Sequence, residues 1–318
     1  MTGRLITLAF ACLLSCAALG QSFPSKPVRI VVGYPPGGSG DFTTRIAADE
    51  MAKSLGVSVV VENKPGAGGN LAAIEVARAA PDGYTVLNAW HHSINLALYK
   101  NPGYSHKDFL PVTKIATGPT VVVANNDLPV KNLKDLIAYA KANPGKLFVA
   151  SAGYGSTPNI SATLFAAAAG VQVTQVQFKG GGPAMQSVLA GDTQVAFSTA
   201  PTVMGMIRAG RLRPLAVSMK KGSPSVPGIP GTEEAGLPEY ESTFWFGLYV
   251  PAGTPRAIVM RLHDAAVKGL AKPEVREKIA LQGMDATPNA TPEQFDAEIR
   301  AEGPALERLL RESGAKVE

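Results

Sequence analysis

The sequence predicts an α/β protein in which mainly parallel strands are covered by helices, and three observations lead there. Apolar, strand-like runs alternate with stretches of helical periodicity, the rhythm of β-α units. Glycine-rich turns mark several of the junctions between them. Two such series follow one another, and cutting the 318-residue chain after Gly20 leaves 298 residues, a length that suits about two domains.

The first unit sets the pattern. Val28-Arg29-Ile30-Val31-Val32 reads as a buried strand, and Phe42, Ile46, Ala47, Met51 and Leu55 recur at helical spacing. Between them lies Tyr34-Pro35-Pro36-Gly37-Gly38-Ser39-Gly40-Asp41. The first N–H groups of a helix lack intrahelical partners and sit at the positive end of its dipole, so this turn is a candidate anion seat. The same residues also suit a plain turn in which the glycines make the bend and Asp41 caps the helix.

A second strand is expected over 57–62, a helix over 71–80 and a third strand over 84–89, after the turn Pro81-Asp82-Gly83. Trp90-His91-His92-Ser93-Ile94-Asn95 then falls where the carboxyl ends of parallel strands form a ligand crevice. His92 and Ser93 are candidate donors there, and ordinary loop hydrogen bonds explain the histidines equally well. Adjacent histidines point different ways on most backbones, so a metal pair is not expected.

Val121-Val122-Val123-Ala124 reads as a strand leaving the first domain. A helix over 133–142, a strand over 147–151 and the loop Gly153-Tyr154-Gly155-Ser156-Thr157-Pro158 follow. In that loop Thr157 suits an N-cap and Pro158 a first helical position, which predicts a second positive helix end. A strand is expected over 171–178, then Lys179-Gly180-Gly181-Gly182-Pro183 opening a helix. Lys179 is a charge candidate, although a solvated loop lysine is commoner. Ser198 and Thr199 end the strand over 194–197, and the series closes with 215–218. After a Gly/Pro/Ser-rich loop over 220–231, an aromatic strand over 243–250 returns to the first domain. The rest reads as helical: Thr254-Pro255 caps one helix, Pro273 starts another, and Thr291-Pro292-Glu293-Gln294 forms a capping box for a last one through Leu310.

Residues 1–20 are expected to be a signal peptide, with Arg4 before the apolar run 5–14 and Ala18-Leu19-Gly20 as the cleavage site before Gln21. Both cysteines, Cys12 and Cys16, lie inside it, so the mature chain would hold no disulfide and no thiolate site. Leu13-Leu14-Ser15-Cys16 offers a lesser alternative, lipid anchoring at Cys16. The formal charge, +5, falls to +4 without Arg4 and is spread along the chain, which gives nucleic-acid binding little support. Dinucleotide, P-loop, nucleophile-elbow and zinc-protease patterns all fail, so neither cofactor nor metal is expected. The loops hold backbone donors and hydroxyls and few general bases, a vocabulary for binding.

The motifs Tyr34-Pro35-Pro36-Gly37-Gly38-Ser39-Gly40-Asp41 with Arg45, Val61-Glu62-Asn63-Lys64-Pro65-Gly66-Ala67-Gly68-Gly69-Asn70, Ala80-Pro81-Asp82-Gly83-Tyr84-Thr85, Phe178-Lys179-Gly180-Gly181-Gly182-Pro183-Ala184 and Leu189-Ala190-Gly191-Asp192 resemble the Bug family in order and over the whole mature chain. These are extracytoplasmic solute-binding receptors of tripartite tricarboxylate transporters. The resemblance implies a type II periplasmic-binding-protein fold of two α/β lobes joined by hinge strands, here 21–121 plus 244–318 and 122–243. It implies a small organic carboxylate closed between the lobes, held by the loops at Tyr34 to Asp41 and Gly153 to Thr157, and delivered to membrane transporter components by a periplasmic protein, expected to be a monomer. The candidates are therefore Tyr34, Gly37, Gly38, Ser39, Asp41, His92 and Ser93 in one lobe and Ser156, Thr157, Lys179, Ser198 and Thr199 in the other. A bare carboxylate repels an anion, so Asp41 is expected to orient the turn and not to touch the ligand. The bulky His91-His92 departs from the small polar residues usual there, as does the absence of a mature cysteine pair, and the first leaves the ligand open. Tyr34, His91, His92 and Trp245 are candidates to line a site for an aromatic acid, although such aromatics commonly pack in cores. A secreted enzyme using His91 or His92 as base, and a sensory receptor of the same fold, are the alternatives.

Overall fold

The computed structural model describes residues 23–90 and 93–312; the expected signal peptide, both cysteines, Gln21, His91 and His92 lie outside that range. The first β-α series runs β1 (Val28–Val32), α1 (Ser39–Leu55), β2 (Val59–Asn63), α2 (Asn70–Ala77), β3 (Thr85–Ala89) and α3 (Ser93–Leu98). Here β1 lies between β2 and β3, parallel to both. After β4 (Phe109–Ala124) the second series runs α4 (Leu133–Ala142), β5 (Phe148–Ser151), α5 (Thr157–Ala169), β6 (Thr174–Gln177), α6 (Gly181–Ala190), β7 (Val195–Thr199), α7 (Ala200–Arg208) and β8 (Arg213–Val217). The chain returns through β9 (Thr243–Pro251) and ends in α8 (Arg256–Leu270), α9 (Pro273–Ala280), the short β10 (Asp285–Ala286) and α10 (Pro292–Glu312).

The strands join in the order β2-β1-β3-β9-β4-β7-β5-β6, with β8 and β10 also paired to β4. Only the carboxyl end of β4 was expected to be a strand. It begins at Phe109 and has 16 residues, because partners on both sides outweigh the breakers Pro111, Gly118 and Pro119. Register shifts at Pro111/Thr113 and Lys114/Ala116 absorb the irregularity in its ladder with β9. Thr120–Ala124 then pairs with β7, and Val121–Ala124 also pairs with β8. Period-two alternation sends Val122 and Ala124 to the core under α4 and α5, and Val121 and Val123 to the core under α6 and α7. A third core fills the first half and includes Ile160 of α5.

Elsewhere the edges move slightly. The expected strands at 57–62 and 171–178 are Val59–Asn63, which starts later and gains Asn63, and Thr174–Gln177, trimmed at both ends; each holds the residues that find ladder partners. Thr254 does not cap α8; its hydroxyl donates to the Pro251 carbonyl at 2.7 Å, and Pro255 takes the cap position. At the last helix Thr291 Oγ1 accepts from Gln294 N–H, and Gln294 Oε1 accepts from Ala290 N–H.

Where β4 passes from β9 to β7, a buried chain of hydroxyls ties the layers. The hydroxyls of Thr120 and Ser161 lie 2.6 Å apart, and Ser161 is 2.6 Å from the Tyr240 hydroxyl. Ser218 Oγ accepts the Thr120 N–H at 2.8 Å and donates to the Ser242 carbonyl at 2.6 Å. Burial pushes the Tyr240 phenol up to about 12, so it stays neutral and able to donate. Replacing it in Tyr240→Phe leaves Ser161 and Thr120 short of a buried partner. The expected loss is about 1–2 kcal/mol, read as a lower urea midpoint at unchanged slope; an unshifted midpoint would remove this chain from the account of stability.

Candidate functional site

The first seat forms where β1 turns into α1. Gly38 is the N-cap in an extended conformation with no side-chain cap, so the N–H groups of Ser39, Gly40 and Asp41 sit at an open helix start. Ser39 is buried, and its hydroxyl has no partner among the described residues. Asp41 does not cap those N–H groups. Its Oδ2 accepts the Gly37 N–H at 2.9 Å, folding the turn backwards, and its Oδ1 accepts from Asn63 Nδ2 at 2.9 Å and from Arg45 at 2.8 Å. Burial disfavours its charge, but Arg45, the Gly37 N–H and the Asn63 amide together hold its carboxyl below the ordinary value.

Tyr34 stands beside this turn. Its ring meets Phe246 edge-on with centroids 5.8 Å apart, and its hydroxyl accepts the Trp90 N–H. Burial pushes the phenol up to about 12, so it keeps its own proton to donate. Gly37 is exposed at the tip of the loop.

The second seat is the start of α5, and its cap is Ser156, not Thr157. Ser156 has the extended conformation of an N-cap; its Oγ accepts the Asn159 N–H at 3.4 Å and donates to the Gly153 carbonyl at 2.6 Å. Thr157 becomes the first helical residue and Pro158 the second, a position Pro fills without loss because that N–H has no helical partner. The Thr157 side chain is buried and its hydroxyl has no partner among the described residues.

The loops of the two halves meet at a seam. A Cβ on Gly68, whose φ is +61°, would stand 2.4 Å from the Tyr154 carbonyl oxygen, and one on Gly155 would stand 2.9 Å from Asn95 Oδ1. Gly180 abuts Pro35 in the same way, at 2.9 Å. Within the first half, Gly33 and Gly69 approach so closely that a Cβ on Gly33 would lie 2.6 Å from the Gly69 Cα. A cavity of about 10 Å³ remains, lined among others by Tyr34, Asn88, Asn95, Tyr104 and Gly155.

Four polar side chains at or near strand ends were not singled out from sequence. Asn88 Oδ1 and Nδ2, Asn95 Oδ1, Ser151 Oγ and Gln177 Oε1 are all buried without a hydrogen-bond partner. Ser151 and Gln177 are paired across β5 and β6 at their carboxyl ends. The available signal was a polar residue closing an apolar strand run, as in Leu87-Asn88-Ala89.

The other candidates are placed less directly. His91 and His92 lie outside the described residues, and Ser93 opens α3. Lys179 is exposed and has no partner among the described residues. Ser198 and Thr199 are buried at the end of β7, where the Thr199 hydroxyl lies 3.0 Å from that of Thr202, and α7 touches α1 across the seam. Trp245 belongs to the core: its Nε1 donates to Glu302 at 2.9 Å and its ring packs on Phe295. Asp41 and Arg45 spend their charges on each other, and Lys179, next to Gly180, is an exposed charge at the edge of the seam.

The model of a family described as the tripartite tricarboxylate transporter family receptor matches residues 43–308. The chain belongs to that family. This receptor is 34% identical over 302 residues to protein BugT of Bordetella pertussis, covering 93% of this chain and 92% of that protein. It is similar to the solved structure of Rhodopseudomonas palustris Rpa4515 with adipate, at 32% identity and TM-score 0.87, over 92% of this chain and 99% of the other. The structure of MatC from the same organism with bound malate gives 32% identity and TM-score 0.84, over 91% and 100%. The resemblance carried by the glycine-rich motifs is thus borne out, and with it the two-series α/β fold of a solute-binding receptor.

Asp41 gives the site a pH signature. Its carboxyl titrates lower when folded than when unfolded, so its contribution is complete above the ordinary carboxylate value and fades as pH falls through it. Asp41→Asn should therefore cost about 2 kcal/mol at pH 7, and the gap to wild type should close below about pH 4. Urea unfolding between pH 3 and 8 measures it; a gap that ignores pH would show that the charge does not hold the turn.

Proposed function

We propose that this receptor captures a small organic carboxylate at the seam, in the periplasm, and delivers it to the membrane components of its transporter. The observation that carries the reading is a pair of helix starts, α1 with no side-chain cap and α5 capped by Ser156, whose flanking loops meet at that seam. Both present N–H groups at the positive end of a helix dipole. Solved relatives with adipate and malate support the same solute class. We assign 21–121 with 244–318 to one lobe and 122–243 to the other. Closure would bring Tyr34, Gly37, Gly38 and Ser39 to one side of the solute and Ser156, Thr157, Ser198 and Thr199 to the other, with Lys179 at the rim. His92 and Ser93 remain in this proposal as neighbours of the same crevice.

Capture without turnover fits the chemistry of the described residues at the seam. The carboxylate there, Asp41, is already saturated by three donors, and the phenol of Tyr34 stays neutral. A general base needs an accessible lone pair of suitable basicity. The periplasmic assignment rests on the family and on the leader-like residues 1–20, and hinge closure in a receptor of this kind needs only a monomer.

Ligand-free protein beginning at Gln21 tests the reading by thermal shift against adipate, malate, citrate, benzoate and the matching amides. An acid at 100 times its Kd should stabilise the fold by about 2.7 kcal/mol, raising the midpoint by a few degrees. The amides should give no shift, and the acid should be recovered unchanged. Failure of every acid would overturn carboxylate capture, and consumption of the acid would replace it with catalysis.

A further inference from the structure

We propose that the seam cavity reads a second functional group of the solute, and that this group is a hydroxyl. The inference rests on carboxylate capture and narrows it. Asn95 is only 7% exposed, and its Nδ2 donates to the Gly68 carbonyl at 3.3 Å. That donation fixes which end of the amide is spent, so the atom left over, Oδ1, is an acceptor with no partner. Asn88 is fully buried with neither Oδ1 nor Nδ2 partnered, which adds one acceptor and one donor. The Tyr34 hydroxyl accepts the Trp90 N–H and retains its own proton to donate.

None of the described residues lining this cavity is charged. A second carboxylate could use the donors Asn88 Nδ2 and Tyr34 but would set an acceptor-only anion against the two amide oxygens with no cation among the described residues, and an ammonium would be a buried cation with no anion among them; both are costly. A methylene would leave the amide atoms orphaned. A hydroxyl can donate to Asn95 Oδ1 or Asn88 Oδ1 while accepting from Asn88 Nδ2 or Tyr34. The space, about 10 Å³, admits about one water-sized group. Position favours a part of the solute near its carboxylate, because the Tyr34 ring that borders the cavity also lies 3.1 Å from where a Cβ of Gly40 would stand in the first turn of α1.

Calorimetric titration of ligand-free protein with matched acids tests this. The probes are succinate, malate and aspartate, and adipate with its 2-hydroxy, 3-hydroxy and 2-amino derivatives. At each chain length that binds, a hydroxy acid should bind about tenfold tighter than its parent, the size expected when a buried acceptor gains its partner. The amino acid should bind more weakly than the hydroxy acid. Asn95→Ala and Asn88→Ala should bring parent and hydroxy acid within about twofold of each other, with melting curves confirming that both variants fold. Should a variant not fold, the wild-type preference decides alone. Equal binding of parent and hydroxy acid would mean that the cavity holds water and would overturn the inference while leaving carboxylate capture standing. Tightest binding of the amino acid, or a hydroxyl preference that survives both substitutions, would overturn it too. Failure of every acid would remove carboxylate capture and this inference together.

Discussion

The ladder between β4 and β9 is the interaction on which the rest of the receptor depends. Over its first part β4 pairs with β9 and completes the sheet that holds β1 and β3; over Thr120–Ala124 it pairs with β7 and β8 and becomes part of the second sheet. One strand thus has its hydrogen bonds satisfied in two halves at once. Because these bonds are short-range and directional, the halves keep a defined relation along the ladder while the loops at the far ends of the parallel strands stay free to differ. The buried hydroxyl chain through Thr120, Ser161 and Tyr240 sits at that transition and couples it to α5, the helix that carries the second seat.

That arrangement explains why the seats can be neutral. A fixed cation facing an anionic solute would gain attraction in the closed state but would face water, and any competing anion, when the seam opens. N–H groups at the start of a helix are held in place by the helix itself and lose little freedom on binding. Among the described residues Asp41 is the buried charge of the first seat, and its three donors offset it while it shapes the turn through Gly37.

Much of this was legible in the sequence because the signals were local. The periodicity of Val28 to Leu55 gave strand, turn and helix, and the glycines at 37, 38 and 40 marked the seat. What was not legible depended on partners far along the chain. Phe109 to Thr120 contains two prolines and a glycine and reads as broken, yet β9, contributed by residues 243–251, makes it continuous strand. Ser156 and Thr157 are equivalent as caps on paper; only the backbone angle at Ser156 and its bond to Gly153 choose between them. Asn88 and Asn95 look like ordinary polar residues until burial removes the water that would otherwise satisfy them.

At the seam the loops approach one another through glycines. Gly68 meets the Tyr154 carbonyl, Gly155 meets Asn95, and Gly180 meets Pro35; the glycines contribute no side chain to these contacts. The glycine contacts themselves bury little apolar area; the apolar packing that joins the halves comes from side chains such as Ile160 and Leu164 of α5, which pack on the first core. The glycines do permit very close approach, which lets groups from both halves reach a small molecule at once. Under the proposed closure, only interactions that exist in the closed form can shift the population toward it. Under that proposal the unpartnered polar atoms of Asn88 and Asn95, which line the seam cavity, are groups through which a solute can favour the closed form. Their cost when unmade works against a closed, empty receptor, and it turns into selectivity once a solute of matching chemistry makes the bonds.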